Sequence, residues 1–308
     1  MVTEEFTILL YHGVSRSVHR GIENCSRKHV SAEHFEAQMR FLATMGRVAA
    51  LGDLLADCEK GLPAGGRVAV TFDDGFENNY SVAFPILRRH GVPATFFLST
   101  GFIGSSRVFW VDKLEYLLNE AAVNAFESAV LGREFLLASL ERRAAALREI
   151  KGALKRQPAL VDDTIAELEA LAEAPLRYDY PDYRMMDWHQ VREMHRSGLC
   201  EFGAHTIDHT ILSHVPHAEK VLQVRQSKAT LEGELGTPVT LFAYPEGQAD
   251  HFDDEVVEVV RQAGFVAAVA AIFGCNTSAT SRYHLHRNMV EFVAPFDNCV
   301  RGLSEIRG

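Results

Sequence analysis

Seven short apolar runs recur along this 308-residue chain, at Phe6–Leu10, Val68–Phe72, Ala94–Leu98, Leu199–Gly203, Thr240–Ala243, Phe265–Ala270 and Leu285–Val290. Helical patterns lie between them, at Ala32–Met45, Tyr80–His90, Trp188–Ser197, His217–Leu235 and Asp254–Ala263. Strand–helix alternation predicts parallel βαβ units in an α/β fold, closed as a barrel or open as a sheet. From Trp110 to Ala174 the rhythm breaks. This stretch is rich in Ala, Leu, Glu and Arg, and predicts two to four inserted helices and no strand. A surface helical hairpin with solvated faces is the first reading of the insertion, and a lid carrying specificity is the second.

The run Val68–Phe72 closes on Asp73-Asp74-Gly75. Parallel α/β folds build their sites at the carboxyl ends of strands, so two acids there are well placed for chemistry. Neighbouring side chains on an extended chain point to opposite sides, which gives one carboxylate to a metal and the other to a proton. A solvated turn is the competing reading, because Asp and Gly are ordinary turn residues. After the run at Leu199 comes His205-Thr-Ile-Asp-His209. Two His four apart share one face of a helical turn, and with a carboxylate they make a site that leaves positions open for water and substrate. Alone, the spacing also suits two polar His at a helix start.

Bulk properties exclude several classes. A net charge of −10 argues against general affinity for nucleic acid or anionic membrane. Cysteines at 25, 58, 200, 275 and 299 are odd in number and widely spaced. They argue against a disulfide framework and a Cys-based zinc site, and suit a reducing compartment. The first residues show no basic segment followed by an apolar one, and no run reaches transmembrane length, so a cytoplasmic location is expected. No oligomeric state is readable.

Taken together, Thr71-Phe-Asp-Asp-Gly75 and His205-Thr-x-x-His209 resemble the polysaccharide deacetylases, the NodB-homology domain of carbohydrate esterase family 4. Pro85-Ile-Leu, Gly91-Val-Pro-Ala-Thr-Phe-Phe, Trp188-x-x-Val-Arg-x-Met and Phe242-Ala-Tyr-Pro-Glu-Gly247 fit as well. The resemblance covers roughly residues 6–106 and 184–292. It implies a distorted (β/α) barrel: one catalytic domain over 1–308 with a helical insertion at 107–183. It further implies a metal-dependent hydrolase that removes acyl groups from an N-acetylated sugar or oligosaccharide of a cell-envelope polysaccharide or its precursor. Carried over by position, Asp74, His205 and His209 are the metal ligands and Asp73 the general base. Zn2+ suits two imidazoles and a carboxylate, while Co2+, Ni2+ or Fe2+ fit the same donors. Tyr244, Pro245, Glu246 and Gly247 form the substrate and oxyanion loop, with the Glu246 N–H as donor.

Two departures from the family pattern follow. Most members take the general acid from a late Leu-x-His motif, whereas here Leu285-His286 has the wrong spacing and abuts Arg287. Ile8-Leu-Leu-Tyr-His12-Gly instead matches a branch with an N-terminal Tyr-His pair, so His12 is the expected acid and His286 the alternative. A structural His in a turn is the plainer reading of His12. Many relatives also carry an Arg where this chain has Ala243, and Arg287 is the candidate to orient Asp73 in its place. A surface Arg is the competing reading. Trp188 is expected to pack, and Tyr178, Tyr180 and Tyr183 either stack on a sugar or pack beneath the insertion. Other functional readings are a deformylase or related amide hydrolase on an aminosugar, and an inactive sugar-binding protein of the same fold.

Overall fold

The computed structural model of the chain describes residues 5–62, 64–171 and 176–290, with 296 and 300. Cys299, residues 172–175 of the expected insertion and 291–292 of the resemblance lie outside them. The chain divides into two compact units, Met1–Arg16 with Lys28–Ser105 and Met185–Gly308, and Ser17–Arg27 with Ser106–Arg184.

The first unit begins with β1 (Thr7–Tyr11), β2 (Gly13–Ser15), β3 (His29–Ser31), α1 (Ala32–Met45), α2 (Leu51–Glu59) and β4 (Val68–Phe72). A π-turn at Asn79–Ala83 leads into α3 (Phe84–His90) and β5 (Ala94–Leu98). The second unit holds α4 (Trp110–Glu120), β6 (Ala125–Ser128), β7 (Arg133–Leu136), α5 (Leu140–Arg156) and α6 (Val161–Glu169). The first resumes with α7 (Trp188–Arg196), β8 (Cys200–Ala204), α8 (His217–Leu235), β9 (Leu241–Ala243), α9 (Asp254–Gln262), β10 (Ala267–Val269) and β11 (Asn288–Met289).

Among the described residues, seven strands form one parallel sheet in the order β10-β9-β8-β5-β4-β1-β11. A bridge from Val269 to Leu285 draws the lead-in to β11 against β10, so the sheet curls into a distorted barrel. The alternation left barrel and open sheet undecided, and the distorted barrel implied by the resemblance is present. Pleating sorts its strands into two layers. Leu9, Tyr11, Val68, Val70, Phe72, Phe96 and Phe202 face the helices, while Ile8, Ala69 and Phe97 face inward. On the outer face Tyr11, Phe72, Phe96 and Phe202 stand in direct cross-strand register with ring centroids 5.3, 4.7 and 5.7 Å apart. This ladder ties four adjacent strands together, from the last residues of β1 and β4 to the middle of β5 and β8, and cross-strand aromatic pairs add to area burial.

The amino ends of the strands are closed by α2, a helix that the sequence patterns left out. Its N-cap, Ala50, supplies no side-chain bond. Instead the Leu51 N–H donates to Thr95 Oγ1 at 3.2 Å and the Gly52 N–H to Glu201 Oε2 at 3.1 Å. Capping from β5 and β8 satisfies orphan helix donors with tertiary partners, so no local capping signal was needed. The second unit overturns the expectation of helices alone: β6 and β7 form an antiparallel hairpin. Its four-residue strands and Gly132 turn (φ 66°) are short enough to be masked by helix-forming neighbours. The unit also draws in Ser17–Arg27, which a contiguous insertion omits. Tyr178, Tyr180 and Tyr183 pack in a chain with Tyr116, and the Tyr178 and Tyr183 hydroxyls donate to Glu169 and Glu115. No helix among the described residues is long and apolar enough to cross a membrane.

Phe96 sits at the centre of the aromatic ladder with no exposed surface. Phe96→Ala is expected to lower unfolding free energy by about 3–5 kcal/mol in urea titrations. A loss under about 1 kcal/mol would show that the ladder is not a packing centre.

Candidate active site

Asp73 continues the inward parity of Ala69 and Thr71, so it points into the mouth of the barrel at the carboxyl end of β4. Its N–H donates to Tyr11 O at 2.9 Å. Arg287 meets its carboxylate in a two-pronged pair, Nη1 to Oδ1 and Nη2 to Oδ2, both 2.6 Å. The same guanidinium donates through Nε to Ala270 O at 2.9 Å and through Nη1 to Thr71 Oγ1 at 3.3 Å, above the Phe97 ring. Both partners are buried, Arg287 to 1% and Asp73 to 3% exposure. Burial alone pushes the Asp73 pKa up. The Arg287 charge and hydrogen bonds, with the fields of His205 and His12, outweigh it and hold the carboxyl below its ordinary value.

Asp74 does not diverge from Asp73 by pleating, as the sequence suggested. It adopts a left-handed backbone, φ 75°, followed by Gly75 at φ 99°. A Cβ on Gly75 would lie 2.7 Å from Ile103 Cδ1, so the turn needs glycine for space as well as conformation. Asp74 is 5% exposed, and its Oδ1 is buried with no hydrogen-bond partner.

His205 and His209 also sit on a different local structure from the one expected. They belong to an irregular turn, not a helical one, with Thr206 at φ 64° and His209 at φ 56°. Gln223 of α8 holds that turn. Its Oε1 accepts the Ile207 and Asp208 N–H groups at 2.9 and 3.0 Å, and its Nε2 donates to Asp208 Oδ2 at 2.8 Å. From the other side, Thr100 and Gly101 donate to Thr206 O and Ile207 O at 3.1 and 2.8 Å. His205 Nδ1 lies 2.8 Å from Ala243 O. A carbonyl only accepts, so Nδ1 carries the proton and Nε2 presents a lone pair to the site. That Nε2 is 3.7 Å from Asp74 Oδ1, and His209 Nε2 is 3.4 Å from it.

The three ligand atoms of Asp74, His205 and His209 lie within 4.8 Å of one another. An orphaned buried carboxylate oxygen facing two imidazole nitrogens, one locked by a backbone carbonyl, fits a divalent metal. Burial, with the repulsion of His209, holds His205 at about 4 against the pull of Asp73 and Asp74, so it is neutral and able to ligate at pH 7.

The remaining expected residues separate. His12 follows β1, half-buried, and its carbonyl accepts Asn79 Nδ2 at 2.8 Å. His286 is not brought to this end of the sheet. Its N–H donates to Asn276 Oδ1, and Asn276 pairs with Phe6, before β1 begins. In the loop after β9, the Tyr244 ring is buried and stacks on Phe252 at 4.1 Å, with its hydroxyl on Tyr283 O. The Tyr244 N–H donates to Val269 O and the Gly247 N–H to Pro245 O, and Pro245 has no N–H. The backbone N–H groups of Tyr244 and Gly247 are thus already paired within the protein. Glu246 sits at φ 60° between them. Gln223 and Asn79 were absent from the sequence reading, because nothing in a helical Gln or a turn Asn marks a tertiary contact.

Residues 60–268, more than half of the chain, match the family model of polysaccharide deacetylase. The putative polysaccharide deacetylase YxkH of Bacillus subtilis is 22% identical over 286 residues, 91% of this chain and 69% of the relative. The poly-beta-1,6-N-acetyl-D-glucosamine N-deacetylase of Staphylococcus aureus is 33% identical over 86 residues, 28% of this chain and 30% of that protein. Among solved structures, the Streptococcus pyogenes deacetylase PplD in complex with acetate superimposes with TM-score 0.63 at 18% identity, covering 97% of this chain and 98% of that one. IcaB from Ammonifex degensii gives 0.58 at 20% identity, covering 97% and 95%. At such identities the structural likeness speaks for the fold.

The buried His205 sets a pH dependence. Between about 6.5 and about 4 the unfolded chain takes up a proton that the folded His205 refuses, so metal-free protein loses stability as pH falls through that window. The depressed Asp73 adds further loss below the ordinary carboxylate range. In chelator, His205→Gln is expected to remove about 3 kcal/mol of the change across the window. An unaltered stability–pH slope in that variant would show that His205 is not held neutral.

Proposed function

Because the chain belongs to the polysaccharide deacetylase family, we propose that it is a metal-dependent hydrolase removing the N-acetyl group from an N-acetylated sugar of a cell-envelope polysaccharide or its precursor. The observation that carries this reading is the juxtaposition of Asp73, clamped by Arg287, with the Asp74–His205–His209 triad: Asp73 Oδ2 is 3.9 Å from His205 Nε2. The S. aureus relative, by name a deacetylase of poly-N-acetylglucosamine, supports an N-acetylated aminosugar as substrate.

A divalent ion held by Asp74, His205 and His209, with Zn2+ preferred and Co2+, Ni2+ or Fe2+ fitting the same donors, supplies Lewis acidity to the acyl carbonyl and lowers the pKa of water from 15.7 toward about 7. Asp73 keeps a free lone pair on each oxygen beyond the two taken by Arg287. It accepts a proton from water as the oxygen adds to the carbonyl carbon. The Glu246 N–H donates to the developing oxyanion. His12 then gives a proton to the nitrogen as the C–N bond breaks, leaving acetate and a free amine. In this reading Arg287 orients the base in place of the residue that Ala243 lacks, and the chain falls in the branch with an N-terminal Tyr-His pair. The intact set of base, ligands and acid argues against an inactive sugar-binding role.

The test is acetate release from N-acetylglucosamine oligomers by metal-loaded protein, with an aryl acetate ester alongside. Asp73→Asn is expected to lose roughly 10²–10⁴ in kcat on both probes. His12→Ala should lose about as much on the amide alone, since a phenolate leaves without a proton while an amine does not. Metal binding without acetate release, or a near-wild-type rate in Asp73→Asn, would sink the proposal.

A further inference from the structure

The segment leaving the Asp73–Gly75 turn carries two consecutive asparagines and winds as a π-turn over Asn79–Ala83. Single π-turns concentrate at functional sites, because they trade regular winding for the placement of particular side chains. Asn79 has no exposed surface, and its Oδ1 has no hydrogen-bond partner. A buried acceptor left without a partner lowers stability, so packing alone does not explain an amide here. What the side chain does make is the 2.8 Å bond from Nδ2 to His12 O.

Neighbouring contacts hold the same short stretch. Asn78 Oδ1 accepts the Val14 N–H at 3.2 Å, and Asn78 Nδ2 lies 3.0 Å from His29 Nδ1. Gly13 is in the tightest place, since a Cβ there would lie 1.9 Å from His29 Nδ1 and 2.9 Å from Asn78 Oδ1. On the preceding residue, Tyr11 O accepts the Asp73 N–H at 2.9 Å. His12 is thus bracketed by bonds to Tyr11, to its own carbonyl and to Val14, all from residues 73–79.

We infer that Asn79 is a positioning residue for His12: its bond to the His12 carbonyl sets the direction from which the imidazole reaches the leaving nitrogen beside Asp73. The inference rests on the reading of His12 as general acid. The π-turn then has a purpose. It lets the chain that leaves the base return an amide to the backbone of the acid, so that the two proton-transfer groups are set by one segment.

The experiment compares Asn79→Ala, Asn79→Ser and His12→Ala, each metal-loaded, on N-acetylglucosamine oligomers and on p-nitrophenyl acetate. Asn79→Ala is expected to lower kcat on the amide by about tenfold or more, with KM and the ester rate within about twofold of wild type. Metal stoichiometry should be unchanged, and the alkaline limb of the amide pH–rate profile should move as it reports a misplaced acid. Asn79→Ser keeps a donor and should recover part of the loss. It carries the test if the Ala variant does not fold. Equal losses on both probes with a lowered Tm would mean a merely structural Asn79 and overturn the inference. So would wild-type amide rates in both Asn79 variants while His12→Ala is impaired. Should His12→Ala itself keep the wild-type amide rate, the reading of His12 fails first and the inference falls with it.

Discussion

A charge pair sealed inside the mouth of the barrel is the constraint on which the site depends. Arg287 approaches from the segment before β11 and reaches the end of β4 across β1, which lies between them in the sheet. Taking both ions out of water costs several kcal/mol each, recovered only because the geometry is bidentate and the remaining donors meet Ala270 O and Thr71 Oγ1. The pair therefore ties three strands together and leaves Asp73 ionised although it is buried. An ionised carboxylate at neutral pH is what a general base requires.

Backbone strain is gathered around that pair. Seven described non-glycine residues have positive φ, and four of them, Asp74, Thr206, His209 and Glu246, stand at the site. Each costs of order 1–3 kcal/mol, which the aromatic ladder beneath and the bonds from Gln223, Thr100 and Gly101 above hold in place. A side chain on a left-handed residue is aimed by its backbone, so the Asp74 carboxylate turns toward the His205 and His209 imidazoles while Asp73 faces Arg287.

Much of this was readable from residue order, and the limits have physical causes. β4 and β5 appear residue for residue where the apolar runs placed them, because strands buried on both faces leave an unbroken signal. β10 and β11 are shorter than their runs, since at the sheet edges apolar side chains pack without completing a ladder. The hairpin of the second unit was hidden by strong helix formers on either side, and α2 by caps that arrive from distant strands. In the site, Asp73, Asp74, His205 and His209 stood out by type and spacing, although the turn that joins the two His is not helical. The proximity of Arg287 was suggested only by the small residue at Ala243 and by the place of Arg287 late in the chain. Gln223 and Asn79 left no trace, because their hydrogen bonds join residues 15 and 67 positions apart.

The most direct measurement is the pH dependence of kcat/KM on an N-acetylated sugar for wild type and Arg287→Met, both with full metal content. With the guanidinium gone, desolvation acts on Asp73 unopposed. The acid limb of the profile is expected to move to higher pH, with the plateau rate reduced. An acid limb that stays where it is in wild type would contradict the assignment of Asp73 as a base held ionised by Arg287.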